Sequence, residues 1–216
     1  MVVIFDTIQK NHHFFMKRIL IPIISLFIIT SANAKNLNQY IQEAEQKKPN
    51  SAYKAGLAFE FGVKNSVNRD INRAVRYYII AHDGGVVRAT SRLGVINYET
   101  RNYNEALKYF KIGAEKKESL SQAYLGKILE NNKKYDRAIQ FYRESVKDNN
   151  PVGKKFLGEY LIKNNPKGSN LFLEGYALLV SASKKNAESK QILSRYPYKF
   201  NKEEQKVLLK YINQYN

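Results

Sequence analysis

Side chains able to do covalent or metal chemistry are scarce in this chain. Its 216 residues include no cysteine and three histidines. Without thiols there is no disulfide, thiolate metal site, cysteine nucleophile or lipid-modified cysteine. His12 and His13 lie near the amino terminus, which leaves His82 for the body of the chain. One imidazole cannot supply a metal cluster or a helical zinc site. His82 also precedes Asp83-Gly84-Gly85, where a helix stop places an imidazole against terminal carbonyls. Gly84-Gly85 lacks the Lys-Ser/Thr pair and the strand that a phosphate loop needs, and no serine sits in a nucleophile elbow. The carboxylates Glu43, Glu45, Glu203 and Glu204 are scattered on faces expected to be exposed and form no pair suited to acid-base work. No catalytic residue, metal ligand or cofactor is assigned on this inventory.

Charge is more prominent. Lys and Arg number 36 against 19 Asp and Glu, a formal net charge of +17. That balance favours acidic partners in general. Lys, Asn, Ile and Tyr are also the residues of A/T-rich codons, so genome composition can account for the same excess without a partner.

The amino terminus reads as an address. Met16-Lys17-Arg18 is followed by a mainly apolar run from Ile19 to Ile29 and then by Ala32-Asn33-Ala34. Positive start, apolar middle and small-x-small site are the parts of a secretory signal. The run falls short of the roughly 20 residues that span a bilayer. Residues 1–15 are expected to be an upstream extension, 16–34 the signal, and Lys35 to Asn216 the mature chain. Removal of Lys10, Lys17, Arg18 and Asp6 lowers the formal charge from +17 to +15. The expected location is the periplasm, with release from the cell as the alternative and no transmembrane segment in the mature protein.

A phrase of Ala-aliphatic-x-aromatic-aromatic positions the rest. It occurs as Ala74-Val75-x-Tyr77-Tyr78, Ala106-Leu107-x-Tyr109-Phe110 and Ala138-Ile139-x-Phe141-Tyr142, each 32 residues from the last. A fixed period of this size marks small units that bury their apolar faces by stacking. Val75, Tyr78 and Ala81, and likewise Leu107, Phe110 and Ala114, have helical spacing, so the aromatic stripe reads as core. Half a period earlier a small residue precedes an apolar-Gly pair: Ser51…Ala55-Gly56, Ala89…Leu93-Gly94, Ser121…Leu125-Gly126 and Gly153…Leu157-Gly158. Glycine inside a helix costs about 1 kcal/mol against alanine, so four at matching places indicate close packing by a partner helix. Each unit then reads as helix A with the glycine, a turn, and helix B with the aromatics. From glycine to the helix B alanine there are 18, 12, 12 and 19 residues. The outer two units therefore have longer turns, Phe61 to Asn65 and Lys163 to Ser169; the inner two turn at Arg101-Asn102 and at Asn131 to Lys134.

Leu93-Gly94, Tyr103, Ala106 and Phe110, repeated as Leu125-Gly126, Tyr135, Ala138 and Tyr142, resemble tetratricopeptide repeats. Ala55-Gly56, Phe59, Gly62-Val63, Asp70, Ala74, Tyr77-Tyr78, Ala81 and Gly84 are similar to the Sel-like variant, as are Gly175 to Leu179 and Ala182. The resemblance spans Ser51 to Ala187. Asn97 replaces a usual aromatic, Ser145 a usual alanine, and the fourth unit lacks the aromatic pair. The fold class implied is all-α, a right-handed α-solenoid of about four helix-turn-helix repeats. An N-terminal cap at 35–50 has a helix Asn38 to Lys47 stopped by Pro49. The array covers 51–187, and capping helices cover 188–216, broken at Pro197 before Glu203 to Tyr211. Some cysteine-rich Sel-like proteins bind or cleave β-lactams; with no cysteine that activity is not carried over.

In such arrays helix A lines the concave surface. The candidate groove residues are Tyr53, Arg88, Ser91, Tyr98, Lys127, Glu130, Lys155, Glu159 and Lys163, with the cations suited to a carboxylate-bearing ligand and Tyr53 and Tyr98 to stacking. The expected function is an exported scaffold that binds a protein or peptide without catalysis of its own. Peptidoglycan binding or a cell-wall or β-lactam hydrolase is one alternative, and a secreted effector another. Nucleic acid is set aside as a partner, because the tyrosines follow the core register and the signal removes the chain from nucleic acid.

Overall fold

The computed structural model describes residues 37–63 and 66–216. The segments expected to be an upstream extension and a signal, and Lys64-Asn65 of the first long turn, lie outside the described residues. A helix, α1, occupies 37–45. It is followed by α2 (Pro49–Phe61), α3 (Ile71–Asp83), α4 (Val87–Glu99), α5 (Tyr103–Glu115), α6 (Ser119–Asn131), α7 (Tyr135–Lys147), α8 (Pro151–Asn164), α9 (Asn170–Ala182), α10 (Ala187–Arg195) and α11 (Lys202–Tyr215). Apart from an isolated Val63–Val67 bridge, the regular structure of the described residues is helical. The all-α helical-repeat expectation holds, with helices A at α2, α4, α6 and α8 and helices B at α3, α5, α7 and α9.

The helices from α3 to α8 begin 16 residues apart, so the 32-residue period is two equal helix-and-turn modules. Each module ends in a residue with left-handed backbone: Gly85, Arg101, Lys117, Lys133 and Asn149, with φ between 57° and 82°. The Lys117 amide donates to the Ala114 carbonyl and the Glu118 amide to the Gly113 carbonyl, both at 2.9 Å. Lys133 and Lys134 repeat the pair on Glu130 and Leu129. This double bond satisfies the last helical carbonyls and reverses the chain.

The chain forms two compact units, one up to Ala89 and one from Thr90. In the first, α2 packs on α3. The Tyr78 ring lies where a Cβ on Gly56 would stand, 2.5 Å from Tyr78 Cε1, and its hydroxyl donates to Glu60 at 2.5 Å. Phe59 stacks on Tyr77 with centroids 5.6 Å apart, and the Arg73 guanidinium covers the Phe59 ring at 3.8 Å. The longer turn is fixed by Gly62 at φ 72° and by the Asp70 amide donating to the Phe59 carbonyl at 2.7 Å. Pro49 does not stop the leading helix. That helix turns at Lys47, with φ 58°, and Pro49 is the first residue of α2, where a missing amide hydrogen costs nothing.

In the second unit Phe110 seats on Gly94 and Tyr142 on Gly126 in the same manner. The fourth repeat, without the aromatic pair, substitutes a helix crossing: a Cβ on Gly158 would meet the Gly175 carbonyl at 2.8 Å and Leu179 at 2.9 Å. The two departures in sequence are absorbed locally. Asn97 bonds the Leu93 carbonyl at 2.9 Å, and buried Ser145 bonds the Ser119 carbonyl at 2.6 Å while filling the space left by Gly153. Both α10 and α11 cover α9. Tyr215 donates to Glu174 at 2.6 Å, and Arg143 donates to the same carboxylate at 2.8 Å. Lys154, nearly fully buried, donates to the Tyr215 carbonyl at 2.5 Å and to Ser181 at 2.9 Å, which fastens the end of α11.

Two substitutions separate these contributions. A methyl at Gly94 would lie 2.6 Å from a Phe110 ring that has no exposure. Overpacking of this kind costs about 1–3 kcal/mol and the helix gains about 1 kcal/mol from alanine. Gly94→Ala is expected to lower stability to urea, with partial recovery in Gly94→Ala/Phe110→Leu. Conversely, Lys117→Gly should raise stability by roughly 0.5–1 kcal/mol, the left-handed penalty less glycine's added chain entropy.

Candidate binding cleft

Successive helices A lie side by side in the second unit, with α6 against α8. The repeat therefore sets residues 32 apart in rows. Tyr124 and Phe156 are such equivalents, each two residues before a packing glycine, and their rings meet edge to face at 5.4 Å. Tyr98 extends the row, edge-on to Tyr124 at 5.2 Å and to Tyr103 at 5.3 Å. Tyr124 stacks flat on the core ring of Phe110 at 4.9 Å, so the row is held from beneath. These rings line a cleft of about 350 Å³ whose rim carries Glu99, Arg101, Lys127, Lys155 and Glu188.

The two lysines are held in place. Lys127 pairs with Glu130 at 3.1 Å, and Glu130 also accepts from the Tyr142 hydroxyl at 2.6 Å. A rim charge is thus tied through Glu130 to the core ring that sits on Gly126. Lys155 crosses the Phe156 ring at 4.5 Å, a cation–π distance, and pairs with Glu188 in the first turn of α10 at 2.5 Å. Lys127 approaches the same ring at 5.7 Å.

Of the residues expected in a groove, the structure brings Tyr98, Lys127 and Lys155 to this cleft, with Glu130 behind Lys127. Glu159 and Lys163 pair with each other at 2.6 Å one turn further along α8 and do not line it. Tyr53 and Arg88 belong to the first unit, where Tyr53 packs on Tyr78 at 5.9 Å and Arg88 is exposed on α4. Ser91 is a correction. Its side chain has no exposure, contacts Ser121 Oγ at 2.7 Å and donates to the Glu118 carboxylate. It packs in a helix seam beside Gly113 and so cannot face a ligand. The candidate groove residues did not include Glu99, Arg101, Tyr103, Tyr124, Phe156 or Glu188, which also line the cleft. The 32-residue offset of Tyr124 and Phe156 was the available signal for the floor; the fold alone brings Glu188 to the rim.

Burial controls the protonation of the phenols. It pushes Tyr124 up to about 12, with Glu99 and Glu188 adding to the effect. Burial, then the Glu130 carboxylate, raises Tyr142 far above the ordinary phenol. Among the described residues no group of three or more His, Asp or Glu is placed to hold a metal, and no helix is long and apolar enough to cross a membrane.

No protein-family model matches the chain, and no curated protein matches it. Its likeness is to solved structures of helical-repeat proteins. A Sel1 repeat protein from Oxalobacter formigenes superposes with a TM-score of 0.61 at 22% identity, over 82% of this chain and 76% of that one. A protective antigen of uropathogenic Escherichia coli with an SLR fold gives 0.63 at 20% identity. That match takes in 84% of this chain, which spans 40% of the antigen's length. An immunity protein from Pseudomonas aeruginosa gives 0.54 at 15% identity, covering 85% and 74%. The chain therefore has the Sel1-repeat fold.

A raised phenol pKa ties stability to alkaline pH. Folded Tyr142 holds its proton above the unfolded value of about 10, so its contribution is complete below pH 10 and is lost as pH rises beyond it. Tyr142→Phe should cost about 1–3 kcal/mol at pH 7 by removing a bond to a carboxylate. Above pH 10 it should also flatten the fall of unfolding free energy by about 1.4 kcal/mol per pH unit, measured by urea titration.

Proposed function

We propose that this chain is an exported helical-repeat scaffold that binds a protein partner through the cleft of its second unit. The observation that carries the reading is the row Tyr98, Tyr124 and Phe156 under the ammonium groups of Lys127 and Lys155. Rigid aromatics with bordering cations are what protein interfaces concentrate at their centres, since they bury large area at small entropic cost. The cleft volume is at the low end for small-molecule sites and suits one or two inserted side chains. Export rests on the signal at Met16 to Ala34 and the small-x-small site before Lys35.

Crosslinking of the purified full chain to envelope extract should recover one stoichiometric partner. Lys127→Glu/Lys155→Glu should weaken that capture by about tenfold or more, while the charge-matched Lys108→Glu/Lys206→Glu at exposed sites leaves it unchanged. Equal losses from both variants would point to net charge rather than the cleft. Protein isolated from the periplasmic fraction should begin at Lys35; mature protein beginning at Met1 or Met16 would overturn the export reading.

A further inference from the structure

The Lys155–Glu188 pair is unevenly held. The Lys155 side chain is 12% exposed and lies along the Phe156 ring, whereas Glu188 is 68% exposed. Lys127 differs, because its partner Glu130 is 20% exposed and fixed by Tyr142. Two ammonium groups thus approach one aromatic ring, one with an anchored carboxylate and one with a carboxylate from a different helix that stands largely in water. Glu188 stands largely in water and any carboxylate set on Lys155 restores the pairing, so exchanging Glu188 for another carboxylate is nearly neutral for the fold. Lys155 would keep a charge-assisted bond throughout, and the Tyr124 phenol and Arg101 line the same cleft as further donors.

We propose that Glu188 is a resident stand-in for an acidic side chain of the protein partner, which docks on Lys155 over Phe156 and displaces it. This rests on the cleft being the partner site. The excess of positive charge, 36 Lys and Arg against 19 Asp and Glu, attracts such a partner, and Glu188 sets the threshold that an incoming carboxylate must exceed. The contact is a built-in competitor. It keeps a desolvated ammonium paired when the site is vacant and rejects ligands that bring no negative charge.

The test uses the full chain and a short fluorescein-labelled oligoglutamate peptide, read by anisotropy at low ionic strength. Glu188→Gln is compared with Glu203→Gln, which changes net charge equally at an exposed residue of α11 paired to Lys206. Glu188→Gln should tighten binding about two- to fivefold beyond Glu203→Gln, and Lys155→Met in the Glu188→Gln background should abolish that difference. Equal affinities of the two glutamine variants, or a gain that survives Lys155→Met, would overturn the proposal. If the captured partner depends on Lys127 and Lys155 while the glutamine variants bind alike, the displacement idea fails and the partner site stands. If the Glu188→Gln gain appears while capture ignores the lysines, the carboxylate subsite stands and the docking role fails.

Discussion

An aromatic ring seated on a glycine holds these repeats together. Gly56 with Tyr78, Gly94 with Phe110 and Gly126 with Tyr142 repeat the same contact, each ring at or near full burial. The missing methyl lets a flat ring lie against the helix A backbone, so both helices of a hairpin share one wide hydrophobic contact. Its consequences run outward. Where the ring is tyrosine, its hydroxyl must be satisfied, and a glutamate four residues after the glycine accepts it: Glu60 for Tyr78, Glu130 for Tyr142. Where the ring is Phe110, that position is Tyr98, which packs on it at 6.4 Å and becomes part of the cleft wall.

The cleft therefore inherits its order from the core. Tyr124 stacks on Phe110, Phe156 packs beside Tyr142 at 5.9 Å, and Lys127 is steered by a carboxylate that Tyr142 holds. Rim groups fixed in this way lose little further freedom when a ligand arrives, which favours affinity. Lys155 and Glu188 are the exception, joined by a contact between α8 and the first turn of α10 with one partner in water.

Much of the helical plan was legible in residue types. Ala74, Ala106 and Ala138 marked α3, α5 and α7, the glycines marked the helices they pack, and Tyr78, Phe110 and Tyr142 stood at core spacing. The half-period landmarks and the turns at Arg101-Asn102 and Asn131 to Lys134 were legible, whereas the turn at Lys117 was not, because lysine in a left-handed position carries no turn signal. Pro49 misled as a breaker because proline equally suits a first helical position. Of the cations read on the helix A face, Lys127 and Lys155 line the cleft and Arg88 and Lys163 do not, while Ser91 belongs to a buried seam. Serine is small enough for either place, and its partners Ser121 and Glu118 come from α6 and the turn before it. Glu188 reaches the rim through α10, a relation between distant segments that no local pattern records.

The equal helix-and-turn modules impose a parity on any change in the length of the array. Starts at 71, 87, 103, 119, 135 and 151 alternate helix B with helix A without a change in stride. Duplicating one module would set two helices of the same kind in succession, facing rings with rings or glycines with glycines across the next contact. Duplicating two restores the alternation and adds another row to the aromatic floor. Lengthening or shortening by pairs of modules keeps the seam in phase, whereas a single-module change forfeits the ring-on-glycine contact at its junction.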